Sequence, residues 1–248
     1  MTTNDDLAVE SAQGVTCITL RRAEKGNCLS ARMVAALASA VHACHHDGTR
    51  LLVLRGAGRH FCTGFDLSHL DSETDDTLLA RFVRVELLLQ ELHGAPFTTL
   101  ALASGRALGA GADLFCACEQ RWVVDSASFA FPGAAFGLVL GSSRLAARTG
   151  TTVAREWIRT GAEIGAQEAL RAGLVTRILP PGELDAALAG LAAQSARLAP
   201  QTQQAIHEAT LGTPAGSDAL DLRALVLSAA SPGLKERIVA YREGARRR

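Results

Sequence analysis

Net charge, paired cysteines, long apolar runs and nucleotide-binding loops are all missing from this 248-residue chain. The 25 basic and 25 acidic residues cancel. No global field therefore recruits nucleic acid or an anionic membrane, and neither is expected as a partner. The terminal "GARRR" is the one local basic run, and a solvated chain end accounts for it better than a specific phosphate contact. Six cysteines occur (Cys17, Cys28, Cys44, Cys62, Cys116 and Cys118) with no CxxC pair and no zinc-type spacing. Reduced thiols packed in a core are the simplest account, which points to a cytosolic setting. The start "MTTNDDLAVE" has no basic region followed by an apolar stretch. No apolar run approaches the roughly 20 residues that cross a bilayer. The expected location is cytoplasmic. A GxxxxGK[ST] phosphate loop is absent, and so are internal repeats and low-complexity linkers.

Hydrophobic residues make up 48% and charged residues 20%, enough for a sizeable globular core. "LAVES" and "GVTCITLRR" read as strands paired through an "AQG" turn. "LSARMVAALASAVHACHHDG" has a Ser30 cap, helical spacing and a closing glycine. "RLLVLRG" and "FTTLALAS" are short buried strands, separated by the long amphipathic helix "DDTLLARFVRVELLLQELHG". "GAGADLFCAC" opens another helix, and "RWVVDSASFAFP" predicts two further short strands. Strands alternating with helices predict an α/β domain with parallel pairing. From about residue 142 the pattern turns mostly helical, apart from "GLVTRIL". A terminal helical layer of this kind serves assembly or covers a site.

Two glycine turns follow apolar strands: "GAGRHFCTGFDL" and "GRALGAGADL". Both belong at the carboxyl edge of a sheet, where α/β ligand sites gather. Glycine lets backbone approach backbone, and a helix N-terminus leaves N–H groups free for an anion. Two such turns facing one another can polarise a single carbonyl oxygen from two sides. Losing one donor of such an oxyanion hole costs ~3 kcal/mol of barrier.

"ITLRRAEKGNCLS", "GAGRHFCTGFDLSHL", "SGRALGAGADL", "FAFPGAAFGLVL" and "GAQEALRAGLVTRIL" occur in this order. Together they resemble the crotonase superfamily, the enoyl-CoA hydratase/isomerase family, over about residues 8 to 200. The resemblance implies a spiral of ββα turns over residues 1–195, with a C-terminal helical oligomerisation region over 196–248 that builds trimers or hexamers. It implies an acyl-CoA thioester as substrate, coenzyme A being part of that substrate and no other cofactor being bound. By motif position the two oxyanion donors are the backbone N–H groups of Phe65 and Ala110. The coenzyme-binding segments fall on Lys25, Cys28 and Leu29 of "EKGNCL" and on Thr63, Gly64, Asp66 and Leu67 of "TGFDL", with Gly109 and Gly133 beside the acyl group. Asp66 is read as an acid that orders its loop through side-chain-to-backbone bonds rather than as a catalyst.

The sequence departs from the family where the reaction is decided. Hydratases of the family carry two glutamates; one falls on Asp113 here, and the other on Gly133, after Pro132. Hydration adds a hydroxide and a proton to neighbouring carbons and uses a partnership of two such groups. The following stretch is shortened to "LGSSRL". Two readings stay open for Asp113: a lone acid–base group, or a first-turn acid held by the helix dipole for ~0.3–1 kcal/mol. Accordingly the protein is either an enzyme of isomerase-type or other proton transfer, or an acyl-CoA-binding protein without turnover. The histidines at 42, 45 and 46 form a surface cluster with no further ligands, so no metal site is expected. His60, His69, Glu86 and His93 lie near the turns or on the long helix without an assignable direction, and Ser142 and Ser143 lack the His–acid pattern of a nucleophile.

Overall fold

Alternation of apolar and polar residues sets the first hairpin. In the computed structural model, which describes residues 5–211 and 217–246, β1 (Leu7–Ala12) pairs antiparallel with β2 (Val15–Leu20). Three parallel neighbours follow: β3 (Leu51–Gly56), β4 (Thr98–Leu108) and β5 (Gln120–Ala130). The short β6 (Ile164–Gly165) and β7 (Arg177–Leu179) both pair with β5 and complete a seven-stranded sheet. The sheet is covered on both faces, which is why β3 reads as the unbroken run "LLVL". Leu52 and Leu54 enter the main core, while Leu51 and Val53 pack on the opposite face. Each such buried side chain contributes roughly 1.5–3 kcal/mol.

The main core lies under α1 (Ala31–Cys44), α2 (Asp75–His93) and α3 (Ala110–Ala117). Ser30 caps α1 by accepting from Met33 N at 3.1 Å, as its sequence position predicts. Thr74 and Thr77 form a reciprocal cap that starts α2. All eight residues of α3 are buried, so this helix is enclosed all round. The opposite face of the sheet is covered by α7 (Leu184–Ala196), through Leu191 against Trp122 and Leu179.

Two sequence expectations are corrected. "RWVVDSASFAFP" is one strand, not two. Its continuity is disguised by a bulge against β4, where the pairing jumps from Ala103–Val123 to Gly105–Ala127 and Asp125 takes φ 63°. The glycine turn "GRALGAGADL" is also shorter than it reads. β4 runs on through Leu108, leaving Gly109 alone at the corner.

Beyond α4 (Ser142–Thr149), α5 (Thr151–Thr160) and α6 (Ala166–Arg171), the chain ends in α8 (Pro200–Thr210), α9 (Ser217–Ala229) and α10 (Leu234–Arg246). These last two helices fold back on α2, where Leu225, Leu234 and Ile238 form a second core with Leu78 and Phe82. Asp75 fixes their junction by accepting from the N–H groups of Gly233, Leu234 and Lys235 at 2.8–3.2 Å. Arg247 and Arg248 of the basic terminus lie outside the described residues. Among the described residues, no helix is long and apolar enough to cross a membrane.

Candidate active site

The loop after β3 is laid along the end of β4. Cys62 N donates to Arg106 O at 3.2 Å, and Leu108 N donates to Cys62 O at 3.0 Å. Two glycines set how closely the loop and the β4–α3 corner approach. A Cβ on Gly64 (φ +94°) would lie 2.6 Å from Leu108 O and 3.5 Å from Ala110 N. A Cβ on Gly111 would collide with the Cys62 carbonyl. Only hydrogen at both positions lets Phe65 and Ala110 come together. Among the described residues, neither of their N–H groups donates to a backbone carbonyl in these turns. Ala110 is the first residue of α3, where an unpaired N–H is inherent to the helix end.

The Phe65 backbone is held by its own ring. The ring stacks on Phe82 with centroids 4.3 Å apart, and the Arg81 guanidinium carbon lies over the Phe65 ring, 4.1 Å from its centroid. Leu29 N donates to Gly64 O at 2.7 Å and Asp66 N donates to Leu29 O at 3.1 Å, so "NCL" and "TGFDL" form one short bridge. Asp66 accepts from Arg22 Nη1 and Ser68 N, each at 2.9 Å, and from the Ser68 hydroxyl. Burial works against its charge, but the Ser68 and Arg22 bonds outweigh it and hold the carboxyl at about 2. That carboxylate is fully engaged in ordering its loop.

Phe65, Ala110 and Asp113 line one cavity of about 180 Å³, together with Thr63, Gly64 and Leu67. Gly109 and Gly133 line it too. Leu140 and Ile158 supply further apolar wall, and Tyr241 reaches in from α10. Lys25, Cys28, Leu29 and Asp66 stand outside this cavity: Lys25 is exposed, and Cys28 and Leu29 are buried in the packing behind the loop. Asp113 is 4% exposed. Among the described residues its carboxyl has no hydrogen-bond or ion-pair partner. Burial pushes it well above the usual carboxylate range; the Arg144 charge opposes this and the Glu86 charge adds to it. The Gly133 position faces Leu138, whose carbonyl would lie 3.4 Å from an added Cβ, so a side chain has room there and the sequence supplies none.

Arg144 is the residue that sequence reasoning missed. It is buried in α4, where its Nη2 donates to Glu86 at 2.5 Å and its Nη1 approaches Asp221 at 3.5 Å. Its available signal was an arginine in the shortened "GSSRL" loop, together with Glu86 set inside the apolar run "VRVELLL". Ser142 lines the cavity, whereas Ser143 turns away and bonds Asp221. His93 points elsewhere, toward Ala117 O at 3.4 Å, and burial with the nearby Arg148 and Arg144 charges lowers it to about 4. It borders a larger cleft of about 320 Å³ that contains neither glycine turn, so volume alone does not choose the site. His69 is exposed, and His60 Nδ1 accepts from Arg106 N at 3.2 Å. His42, on the histidine-rich helix, pairs with Glu91 at 3.1 Å.

This arrangement can polarise one carbonyl oxygen with two backbone donors beside a single proton-exchanging carboxyl. Comparison with known proteins places the family. The model of the enoyl-CoA hydratase/isomerase family matches residues 10–228. A probable enoyl-CoA hydratase of Mycobacterium tuberculosis is 33% identical over 198 residues, covering 78% of this chain and 77% of that one. One from Bacillus subtilis is 32% identical over 210 residues, covering 82% and 80%. A crystal structure from Bordetella parapertussis, assigned as an enoyl-CoA hydratase/isomerase, superposes with a TM-score of 0.93 at 40% identity, covering 96% of this chain and 98% of that one. The mixed α/β sheet with its C-terminal helices is thus the crotonase fold, and the chain belongs to the enoyl-CoA hydratase/isomerase family.

Proposed function

We propose that this enzyme moves a proton between two carbons of an acyl-CoA thioester, as in migration of a double bond from the 3,4 to the 2,3 position. The thioester carbonyl accepts from Phe65 N–H and Ala110 N–H. Asp113 takes a proton from C2, and the electron pair spreads onto the carbonyl oxygen. The same carboxylic acid returns the proton to C4 as the double bond shifts. Atoms and charge balance without water and without a cofactor beyond the coenzyme A of the substrate. The observation that carries this reading is Asp113 itself: it lines the cavity with both donors, its carboxyl has no polar partner among the described residues, and Gly133 brings no second acid. A carboxylate whose proton affinity is raised by burial is a stronger base toward C2, and the acid it becomes can hand the proton on to C4. Thr63, Gly64, Leu67 and Gly109 shape the acyl end, while Lys25, the Cys28–Leu29 backbone and the Asp66-ordered loop hold the coenzyme.

The missing side chain at Gly133 also favours a second reading, acyl-CoA binding without turnover. A 3-enoyl-CoA and crotonyl-CoA separate the two, by gain or loss of the conjugated thioester absorbance alongside calorimetric binding. Turnover of the 3-enoyl substrate, abolished in Asp113→Asn with binding retained, supports proton transfer. Binding without turnover, unchanged by that substitution, refutes it. We further propose a cytoplasmic homotrimer or hexamer assembled through the C-terminal helices. Leu220 and Leu227 on α9, 62% and 58% exposed, supply unpartnered apolar surface for it, and sedimentation tests the stoichiometry.

A further inference from the structure

The proton-transfer reading uses Asp113 but leaves a buried ion cluster beside it unexplained. Glu86 is wholly buried on α2, and both of its oxygens are occupied: Gln90 Nε2 donates to one at 2.9 Å and Arg144 Nη2 to the other at 2.5 Å. Arg144 is 2% exposed, and its second arm is turned to Asp221 on α9. Among the described residues its Nε is buried without a partner. Asp113 lies against the start of the same helix, since a Cβ on Gly141, the residue capping α4, would collide with its carboxyl. A guanidinium within electrostatic reach of an unpaired buried carboxyl ordinarily pairs with it. Here the two acids on α2 and α9 take both of its terminal nitrogens.

Resting on that reading, we infer that Glu86 is a positioning residue that acts through Arg144: by drawing the guanidinium to itself and Asp221, it keeps Arg144 from pairing with Asp113 and leaves that carboxyl free to exchange a proton. The charged and titratable groups around Asp113 fit this role. Arg144 faces it from α4 and favours its charged form, Glu86 acts from α2 in the opposite sense, and Cys116 on α3 is a thiol pushed up to about 12 by burial and by Asp113. The two members of one ion pair therefore act on Asp113 in opposite directions.

The test is a carboxyl titration by ¹³C NMR of aspartate-labelled protein, with the Asp113 resonance assigned by its loss in Asp113→Asn. Glu86→Gln releases Arg144 toward Asp113 and is expected to lower the titration midpoint by about one unit or more. Arg144→Met is expected to raise it by a similar amount. Asp221→Asn changes a partly exposed acid and is expected to shift the midpoint down by less, which keeps the test open if the fully buried variants do not fold. The acid limb of kcat/KM for the 3-enoyl substrate should follow each midpoint. Shifts in the same direction for Glu86→Gln and Arg144→Met, or no shift in Asp221→Asn and Glu86→Gln, overturn the inference. Opposite shifts in a protein that turns nothing over leave the positioning role standing and remove the catalytic reading. Turnover that depends on Asp113 without these shifts does the reverse.

Discussion

Only proline deletes a backbone donor, and it fixes φ as well, so the glycine that sets the donors' spacing is the cleaner handle. Gly64→Ala places a methyl 2.6 Å from the Leu108 carbonyl, closer than such atoms approach, on a residue at φ +94°. The left-handed backbone costs an alanine roughly 1–2 kcal/mol. The collision is with backbone on both sides, so relief comes by moving the loop away from the β4–α3 corner by several tenths of an ångström. That displacement opens the gap between Phe65 and Ala110, and losing one donor of such a pair costs about 3–4 kcal/mol of barrier, a kcat loss of about 10²–10³-fold. Gly48→Ala is the control: φ is +83° but nothing lies within 4 Å of the added methyl. It should lose stability by a similar roughly 1–2 kcal/mol and keep full activity. The direct assay is the infrared stretch of a bound thioester with ¹³C at its carbonyl. Two hydrogen bonds lower that frequency, and Gly64→Ala should return it toward the free value. A folded Gly64→Ala with unchanged kcat and an unchanged carbonyl stretch refutes the assignment of these turns as an oxyanion hole.

Asp113→Asn should melt higher than the parent at neutral pH. A carboxyl raised by burial binds its proton more tightly folded than unfolded, so the parent is most stable below the unfolded value and loses stability as pH rises toward the folded one. The melting difference should shrink in acid, and a pH-independent difference contradicts the buried-acid description. Asp75→Ala removes the acceptor for three N–H groups at the start of α10. Amides of residues 234–246 should exchange faster, and KM for the thioester should rise as Tyr241 loosens; unchanged exchange contradicts the clasp. Gly133→Glu fits a position where an added Cβ meets only Leu138, at 3.4 and 3.9 Å. It should create measurable hydration of crotonyl-CoA, since a second acid–base group is worth about 10²–10⁴-fold. A folded variant with no gain shows that more than the missing glutamate separates this site from a hydratase.

Local chemistry made most elements readable before the fold was known. Ser30, the alternating "VTCITL" and the apolar "LLVL" each carry their structural reason within a few residues. The errors arose where tertiary need imitates a local signal. Gly105 reads as a turn, yet it sits inside β4 at φ +58°, glycine because a Cβ there would strike the Arg59 carbonyl. Asp125 reads as a break between strands, yet it is the bulged residue of one. The candidate site was legible as motifs, since Phe65, Ala110, Asp113 and Gly133 do line one cavity. Its electrostatics were not, because Glu86 and Arg144 stand 58 positions apart and meet only where α2 and α4 both pack on α3.

Two aspartates, one next to Phe65 in sequence and one a turn of α3 beyond Ala110, sit in opposing environments. Asp66 lies beside Phe65 with its oxygens filled by Ser68 and Arg22, and it is held at about 2. At any working pH it is a fixed anion, so its free energy goes into the shape of the loop rather than into proton exchange. Asp113 lies beside the other donor with no polar partner, and burial drives it the opposite way. A charge that is fully hydrogen-bonded resists protonation, and a carboxyl denied partners accepts it. Position in the motif singled out both residues, and partner count separates them: Asp66 is a charge locked into its loop, and on the proposed reading Asp113 exchanges the substrate's proton while Glu86 and Asp221 keep Arg144 engaged.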